Sequence, residues 1–160
     1  MENGVVFYYG DGHGKSMAAM GYAMHAVSMG KTATVIQFLK ERNETEEQFL
    51  EKFEPELKMF RFAKSNSCFE NLTEEEKQEE TMNLVNGFHY GKKVISTGAS
   101  DLVVLDEVLG LVDLKVIDIE DVRQMLLARP EDVTVICTGR ALDDRIREYA
   151  DEIYNIHPEK

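Results

Sequence analysis

The chain has 160 residues, of which 43% are hydrophobic and 30% charged, and its formal net charge is −12. This length and composition predict one globular domain over residues 1–160 and argue against a disordered chain. A negative field of this size repels phosphate backbones, so no nucleic-acid partner is expected. No apolar run approaches the ~20 residues of a membrane span, and the N-terminus does not resemble a secretory signal. We therefore expect no membrane association and a cytoplasmic location.

The first half of the chain begins with a strand, a glycine-rich loop, a helix and a second strand. The β-branched and aromatic run 4–9 predicts the first strand, and a helix over 15–28 is predicted to end at Gly30. A strand at 32–39 completes a β-α-β unit with parallel strands. The elements predicted next are a helix over 44–53, a strand over 57–62 and a loop over 63–71.

The second half opens with a long helix that runs to about Ser96. Thr73 and Glu76 have the spacing of a capping box at its start. The core contacts expected on this helix are Met82, Val85, Phe88 and Val94. The elements predicted after it are a strand over 101–107, a helix over 119–128 capped by Asp118, a strand over 133–138, a helix over 142–150 and a strand over 152–156. This alternation predicts an α/β fold with a mostly parallel central sheet and helices on both faces. The acidic segments 41–56 and 70–80 are interpreted as solvated helix faces.

The loop after the first strand has the composition of a phosphate-binding loop. Glycines let backbone N–H groups converge on phosphate oxygens, and the following helix N-terminus adds a positive dipole end. Lys15 supplies a charge for the phosphates and Ser16 a hydroxyl for Mg²⁺. The usual first glycine position is Tyr9, and the glycine comes one residue later. We predict that ATP with Mg²⁺ binds to Gly10, Asp11, Gly12, His13, Gly14, Lys15, Ser16 and Met17.

Two carboxylates, Asp106 and Glu107, end the apolar strand over 101–107. In P-loop proteins a strand-end Asp holds the Mg²⁺, and here the next Glu is expected to hold the metal or to polarise a water. Acidic residues commonly end strands, so the pair gains its meaning from the phosphate loop upstream. The predicted metal ligands are Ser16, Asp106 and Glu107, at the sheet edge where open α/β folds bind ligands.

A third motif, Thr138–Gly139–Arg140, also follows a strand. Arg140 either reaches a phosphate or carboxylate of a ligand or is an ordinary surface arginine, and the sequence favours neither. The cysteines, Cys68 and Cys137, have no nearby Cys/His partner spacing, which argues against a zinc site or a disulfide scaffold. Cys137 lies in an apolar strand and is expected to be a small buried residue.

Taken in order, these motifs resemble the P-loop type of ATP:corrinoid adenosyltransferase, and the resemblance covers nearly the whole chain. The glycine-rich loop of that family begins in the same shifted way. The segments that carry the resemblance are 8–16, 35–40, 102–107, Arg129–Pro130, 138–140 and Ala150–Asp151.

The resemblance implies a RecA-like P-loop fold and transfer of the 5′-deoxyadenosyl group of ATP to the Co(I) of a reduced corrinoid, with release of tripolyphosphate. Because cobalt is the nucleophile, no catalytic side chain is expected. The resemblance further implies that Lys15 and the loop amides hold the phosphates while the predicted metal ligands hold Mg²⁺. The residues expected on the corrinoid side are Gln37, Phe69 and Arg140, and the partners implied are a flavoprotein reductant and a second copy in a homodimer.

Two alternatives stay open on the sequence. His13 stands where many family members have lysine, Met17 stands where they have a second hydroxyl, and Phe69 is the only aromatic residue of its loop. These differences motivate the first alternative, in which the chain is a divergent nucleotide-binding relative that acts as a sensor or partner-binding module without the transfer chemistry. The other alternative is a small RecA-like ATPase.

Overall fold

The computed structural model describes residues 3–160. Six parallel strands form one sheet in the order β3-β2-β4-β5-β1-β6. The strands are β1 Val5–Tyr9, β2 Ala33–Gln37, β3 Leu57–Arg61, β4 Leu102–Asp106, β5 Thr134–Gly139 and β6 Glu152–Asn155. β5 separates β1, which leads into the glycine-rich loop, from β4, which ends in the acidic pair. The predicted RecA-like α/β fold with a parallel central sheet is confirmed.

Helices cover both faces of this sheet. They are α1 Lys15–Ser28, α2 Glu44–Leu50, α3 Glu74–Thr97, α4 Val108–Asp113, α5 Ile119–Leu127 and α6 Asp144–Arg147. Side chains alternate between the faces, so Val6 packs in the cluster of α1 while Phe7 packs in the cluster of α3 and α5. No helix within residues 3–160 is long and apolar enough to cross a membrane.

Local capping signals fix the ends of the two longest helices. The Thr73 hydroxyl accepts from the Glu76 N–H at 3.3 Å, and the Glu76 carboxylate accepts from the Thr73 N–H at 2.8 Å. At the end of α1, Gly30 has a φ of 80°, and its N–H donates to the Val27 carbonyl at 2.9 Å. Both predicted caps are confirmed. Each depends only on residues within one helical turn, so the local sequence is enough to predict it.

Three details of the prediction are wrong. Met82 is 68% exposed, and Leu84 and Ile95 occupy the core instead. Glu80 is buried, although its acidic segment was expected to be a solvated face. The helix expected over 142–150 is only Asp144–Arg147. The structure also contains α4, directly after the acidic pair, which the pattern did not indicate.

Candidate active site

The glycine-rich loop between β1 and α1 is anchored by backbone hydrogen bonds from two neighbouring segments. The Gly10 N–H donates to the carbonyls of Gly139 at 3.2 Å and Arg140 at 3.1 Å, and the Gly12 N–H donates to the Ile156 carbonyl at 2.9 Å. Gly10 has a φ of 123°, and a Cβ there would overlap the Ile156 carbonyl oxygen. The displaced glycine therefore stands where the chain following β6 packs against the loop, and no side chain fits there.

The N-terminus of α1 has the features of an anion site. Its N-cap is Gly14, which provides no side-chain hydrogen bond to the first turn. The first-turn N–H groups are thus not capped by that residue, and the helix dipole is positive at this end. The Lys15 side chain is 9% exposed, and its Nζ donates to the Gly12 carbonyl at 2.8 Å. The loop therefore presents backbone donors and one ammonium to an anion.

Ser16 and Asp106 meet at the carboxyl end of the sheet. The Ser16 Oγ donates to Asp106 Oδ1 at 2.8 Å, and the Thr138 Oγ1 donates to the same oxygen at 2.7 Å. Thr138 also accepts the Glu107 N–H at 2.8 Å. Asp106 and Thr138 are both buried. The hydroxyl of Thr138 thus fixes the Asp106 carboxylate and the first turn after β4 together.

Glu107 is held in an unusual backbone conformation at the start of α4. Its φ is 63°, which is the left-handed region, and its side chain is half-buried. Burial raises the pKa of the Glu107 carboxyl, and the neighbouring charge of Asp106 raises it further. A perturbed carboxyl beside a phosphate loop is the kind of group expected at a functional site.

The oxygen donors at this edge suit Mg²⁺. Within residues 3–160, no three His, Cys, Asp or Glu side chains are placed together to hold a metal. The candidate ligands are instead one hydroxyl and two carboxylates, from Ser16, Asp106 and Glu107. Mg²⁺ is commonly bound by one or two carboxylates and completes its coordination with water and substrate phosphates. The residues present therefore fit a magnesium–triphosphate complex better than an all-protein metal cage.

The remaining loop side chains are exposed. His13 lies at the surface, and Met17 is 71% exposed on the first turn of α1. Asp11 lies 2.5 Å from Nδ1 of His157, measured to Oδ1, and this hydrogen bond lowers the pKa of the Asp11 carboxyl. The pair ties the chain after β6 to the phosphate loop.

A cavity of about 320 Å³ opens beside Glu107. Phe69 and Arg140 both line it, so two of the three residues expected on the corrinoid side are brought together. Gln37 lies elsewhere: it pairs with Asp106 across β2 and β4 and lines a small recess with Ser16 on the α1 face. The recess and the cavity are neighbours, because Lys40 lines both of them.

Two charged side chains that no sequence pattern indicated, one half-buried and one buried, hold the segment 63–65, which forms part of one wall of this cavity. Arg61 donates from Nη2 to the carbonyls of Lys40 at 2.8 Å and Ser65 at 3.0 Å. Glu80, only 6% exposed, accepts the N–H of Lys64 at 2.9 Å and of Ser65 at 2.7 Å. We call this pair of side chains the wall clamp. Its signal in the sequence was a carboxylate at position 80, four residues before the buried Leu84 on the same helix face.

The two cysteines are separate in the structure. Cys68 is exposed and lines the cavity next to Phe69. Cys137 is buried in β5, as expected, and burial raises the pKa of its thiol to about 12. A thiol protonated at neutral pH is a poor nucleophile, so Cys137 serves packing.

Comparisons with known proteins point to one family. The family model for ATP:corrinoid adenosyltransferase BtuR/CobO/CobP matches residues 2–160. The corrinoid adenosyltransferase CobA of Salmonella typhimurium is 32% identical over 160 residues, which cover 99% of this chain and 79% of the relative. A corrinoid adenosyltransferase of Escherichia coli K12 is 31% identical with the same coverage of both chains.

Proposed function

The chain belongs to the ATP:corrinoid adenosyltransferase family, and from this premise we propose that it transfers the 5′-deoxyadenosyl group of ATP to the Co(I) of a reduced corrinoid and releases tripolyphosphate. One observation carries the proposal. Asp106 contacts the phosphate loop through Ser16, while the next residue, Glu107, lines the cavity that contains Phe69 and Arg140. Two ligand sites therefore adjoin at consecutive residues.

The phosphate loop is assigned to the triphosphate of ATP. The backbone N–H groups from His13 to Ser16 and the α1 dipole supply the neutral donors, and Lys15 supplies the charge, while the N–H groups of Gly10 and Gly12 hold the loop to its neighbours. A site that grips the whole triphosphate stabilises it as a leaving group, because charge builds up on the bridging oxygen as the bond to C5′ breaks. This is the main task of the protein on the ATP side.

Ser16, Asp106 and Glu107 are assigned to hold Mg²⁺. Bound there, the ion would neutralise part of the charge of the triphosphate. Thr138 would keep the Asp106 carboxylate in place, and Gln37 would neighbour the metal site from β2 rather than contact the corrinoid. Partners that orient a metal ligand commonly affect metal affinity as strongly as some ligands do.

The cavity beside Glu107 is assigned to the corrinoid. Phe69 is half-buried and packs against the hydrophobic core, so it offers a fixed aromatic surface, and Arg140 offers a cation at the other wall. In the reaction the cobalt electron pair forms the Co–C5′ bond, and the pair of the C5′–O bond leaves with tripolyphosphate. The protein needs no nucleophile of its own; it has to align the two substrates and exclude water.

Three further assignments do not depend on the geometry of the site. We propose that a flavoprotein reduces the corrinoid before transfer, that the protein works as a homodimer and that it acts in the cytoplasm. Size-exclusion chromatography with light scattering would test the homodimer directly, and a single 18.3 kDa species would argue against it.

The proposed function is tested by supplying chemically reduced cobalamin and ATP without oxygen, with and without Mg²⁺. We expect the absorption spectrum of an adenosylated corrinoid to appear together with an equal amount of tripolyphosphate, and only when Mg²⁺ is present. Tight ATP binding with neither product would favour the sensor alternative. Release of orthophosphate without any corrinoid would favour the ATPase alternative.

A further inference from the structure

The cavity beside Glu107 is lined by more acidic than basic side chains. Five carboxylates and three cationic groups contribute to its wall. Two of these eight, Arg61 and Glu80, are the wall clamp, and their polar atoms are committed to backbone carbonyl and N–H groups. Their charges are of opposite sign, so together they contribute little to the net charge that a ligand meets.

The groups free to meet a ligand are mostly carboxylates. Lys40 lies 3.9 Å from Glu46, which does not line the cavity. Glu107 is assigned to the metal, so Arg140 is then the main cation facing Glu41, Glu70 and Asp113. Among residues 3–160, none of these three carboxylates forms an ion pair. A ligand in this cavity therefore meets uncompensated negative charge.

Corrin rings carry acetic and propionic side chains around their edge, and each is either a free carboxylate or a carboxamide. A carboxamide NH₂ group donates hydrogen bonds to a protein carboxylate, whereas a ligand carboxylate has no donor and repels it. The triphosphate bound beyond Glu107 would add to the repulsion. Arg140 alone can pair with only one free carboxylate of the corrinoid.

We propose that this cavity selects corrinoids whose peripheral carboxyl groups are amidated over corrinoids that keep free carboxylates. The proposal rests on the proposed function, because it takes the cavity as the corrinoid site. The residues that set the selectivity are Glu70 and Asp113, which are exposed, lie outside the ATP-binding loop and come from different segments of the wall.

The test compares two reduced corrinoids, cobinamide, which is fully amidated, and cobyrinic acid, which keeps its carboxylates. We expect kcat/KM to be higher for cobinamide by about tenfold or more at low salt, the size of one or two like-charge contacts, and this ratio should shrink as NaCl is added. The double variant Glu70→Gln/Asp113→Asn should lower the ratio severalfold. Glu131→Gln, an exposed acidic site outside the cavity, is the matched control and should leave the ratio unchanged.

Binding of the two corrinoids as their Co(II) forms, measured with ATP present, gives the same ratio without turnover. Equal affinities, a preference for cobyrinic acid, or a ratio that the double variant does not change would overturn the selectivity while leaving adenosyl transfer intact. Failure to adenosylate either corrinoid would instead contradict the proposed function, and the binding ratio would still decide the selectivity.

Discussion

Replacement of Thr138 by valine tests whether its hydroxyl organises the metal site. Valine keeps the shape of threonine but removes the hydroxyl that donates to Asp106 at 2.7 Å and accepts the Glu107 N–H at 2.8 Å. The position is fully buried, so water cannot replace either partner. The variant therefore leaves a buried N–H unpaired and weakens the support of a carboxylate.

The expected loss has two parts. A hydrogen bond to a charged group and an unsatisfied buried N–H together cost about 2–4 kcal/mol of unfolding free energy. The affinity for ATP in the presence of Mg²⁺ should fall by roughly 10- to 100-fold, which is the usual effect of removing a group that orients a metal ligand. Affinity without Mg²⁺ should change much less, because the phosphate loop is untouched.

Thr134→Val is the matched control. It makes the same substitution in the same strand at another buried position, and the Thr134 hydroxyl forms no hydrogen bond with the residues that the structure describes. Urea unfolding and calorimetric titration with ATP, each with and without Mg²⁺, would measure both effects. The role given to Thr138 would be refuted if both variants lost the same amount of unfolding free energy and ATP affinity. It would also be refuted if the loss of ATP affinity were the same with and without Mg²⁺.

Three other substitutions test other parts of the site. Lys15→Ala should abolish detectable ATP binding in calorimetry while the circular dichroism of the folded protein is unchanged, because it removes the phosphate-binding ammonium. Glu80→Gln keeps one acceptor for two N–H groups, so the protein should lose about 1–3 kcal/mol of unfolding free energy, and KM for the corrinoid should rise with the Kd of ATP unchanged. Burial and the Asp106 charge raise the pKa of Glu107 above its ordinary 4.5. The free protein therefore loses unfolding free energy as the pH rises from about 4.5 through this raised pKa, because the folded state holds the proton more tightly than the unfolded state. Glu107→Gln should therefore increase the unfolding free energy at pH 7, an advantage that disappears below about pH 4.5, while ATP affinity with Mg²⁺ falls.

Each of these outcomes can contradict the assignment behind it. A folded Lys15→Ala protein with normal ATP affinity would remove the phosphate loop from the site. Glu79→Gln, at the exposed neighbour of Glu80, should behave like the wild type, and equal effects in both variants would argue against the wall clamp. A Glu107→Gln protein that is less stable at pH 7 would mean that the carboxylate stabilises the fold rather than serving ligand binding.

The parts of the site predicted from sequence are those that depend on neighbouring residues. The strand, glycines and helix that form the phosphate loop are consecutive, and the apolar run before Asp106 marks a buried strand without reference to other segments. The family resemblance followed from these local motifs and is confirmed. The roles assigned to individual site residues stay predictions.

The parts that were missed depend on contacts between distant segments. The wall clamp joins β3 and α3 through backbone groups of a loop, so neither side chain has a local pattern that reveals its partner. The prediction that Met82 is a core contact is wrong because of helix geometry. Met82 lies two residues from both Glu80 and Leu84, which is about 200° around a helix of 3.6 residues per turn. The buried residue at 80 therefore places Met82 on the solvent side.

The adjacency of Asp106 and Glu107 has a geometric reason that neither residue explains alone. Asp106 is the last residue of β4 and meets Ser16, whereas Glu107 leaves the strand in a left-handed conformation at the start of α4 and lines the cavity. Moving Asp106 back by one residue along β4 would turn its carboxylate to the other face of the sheet, away from Ser16. A reaction between two bound substrates needs their sites to adjoin. Two consecutive carboxylates at the end of β4 place one group at each site with no residue between them.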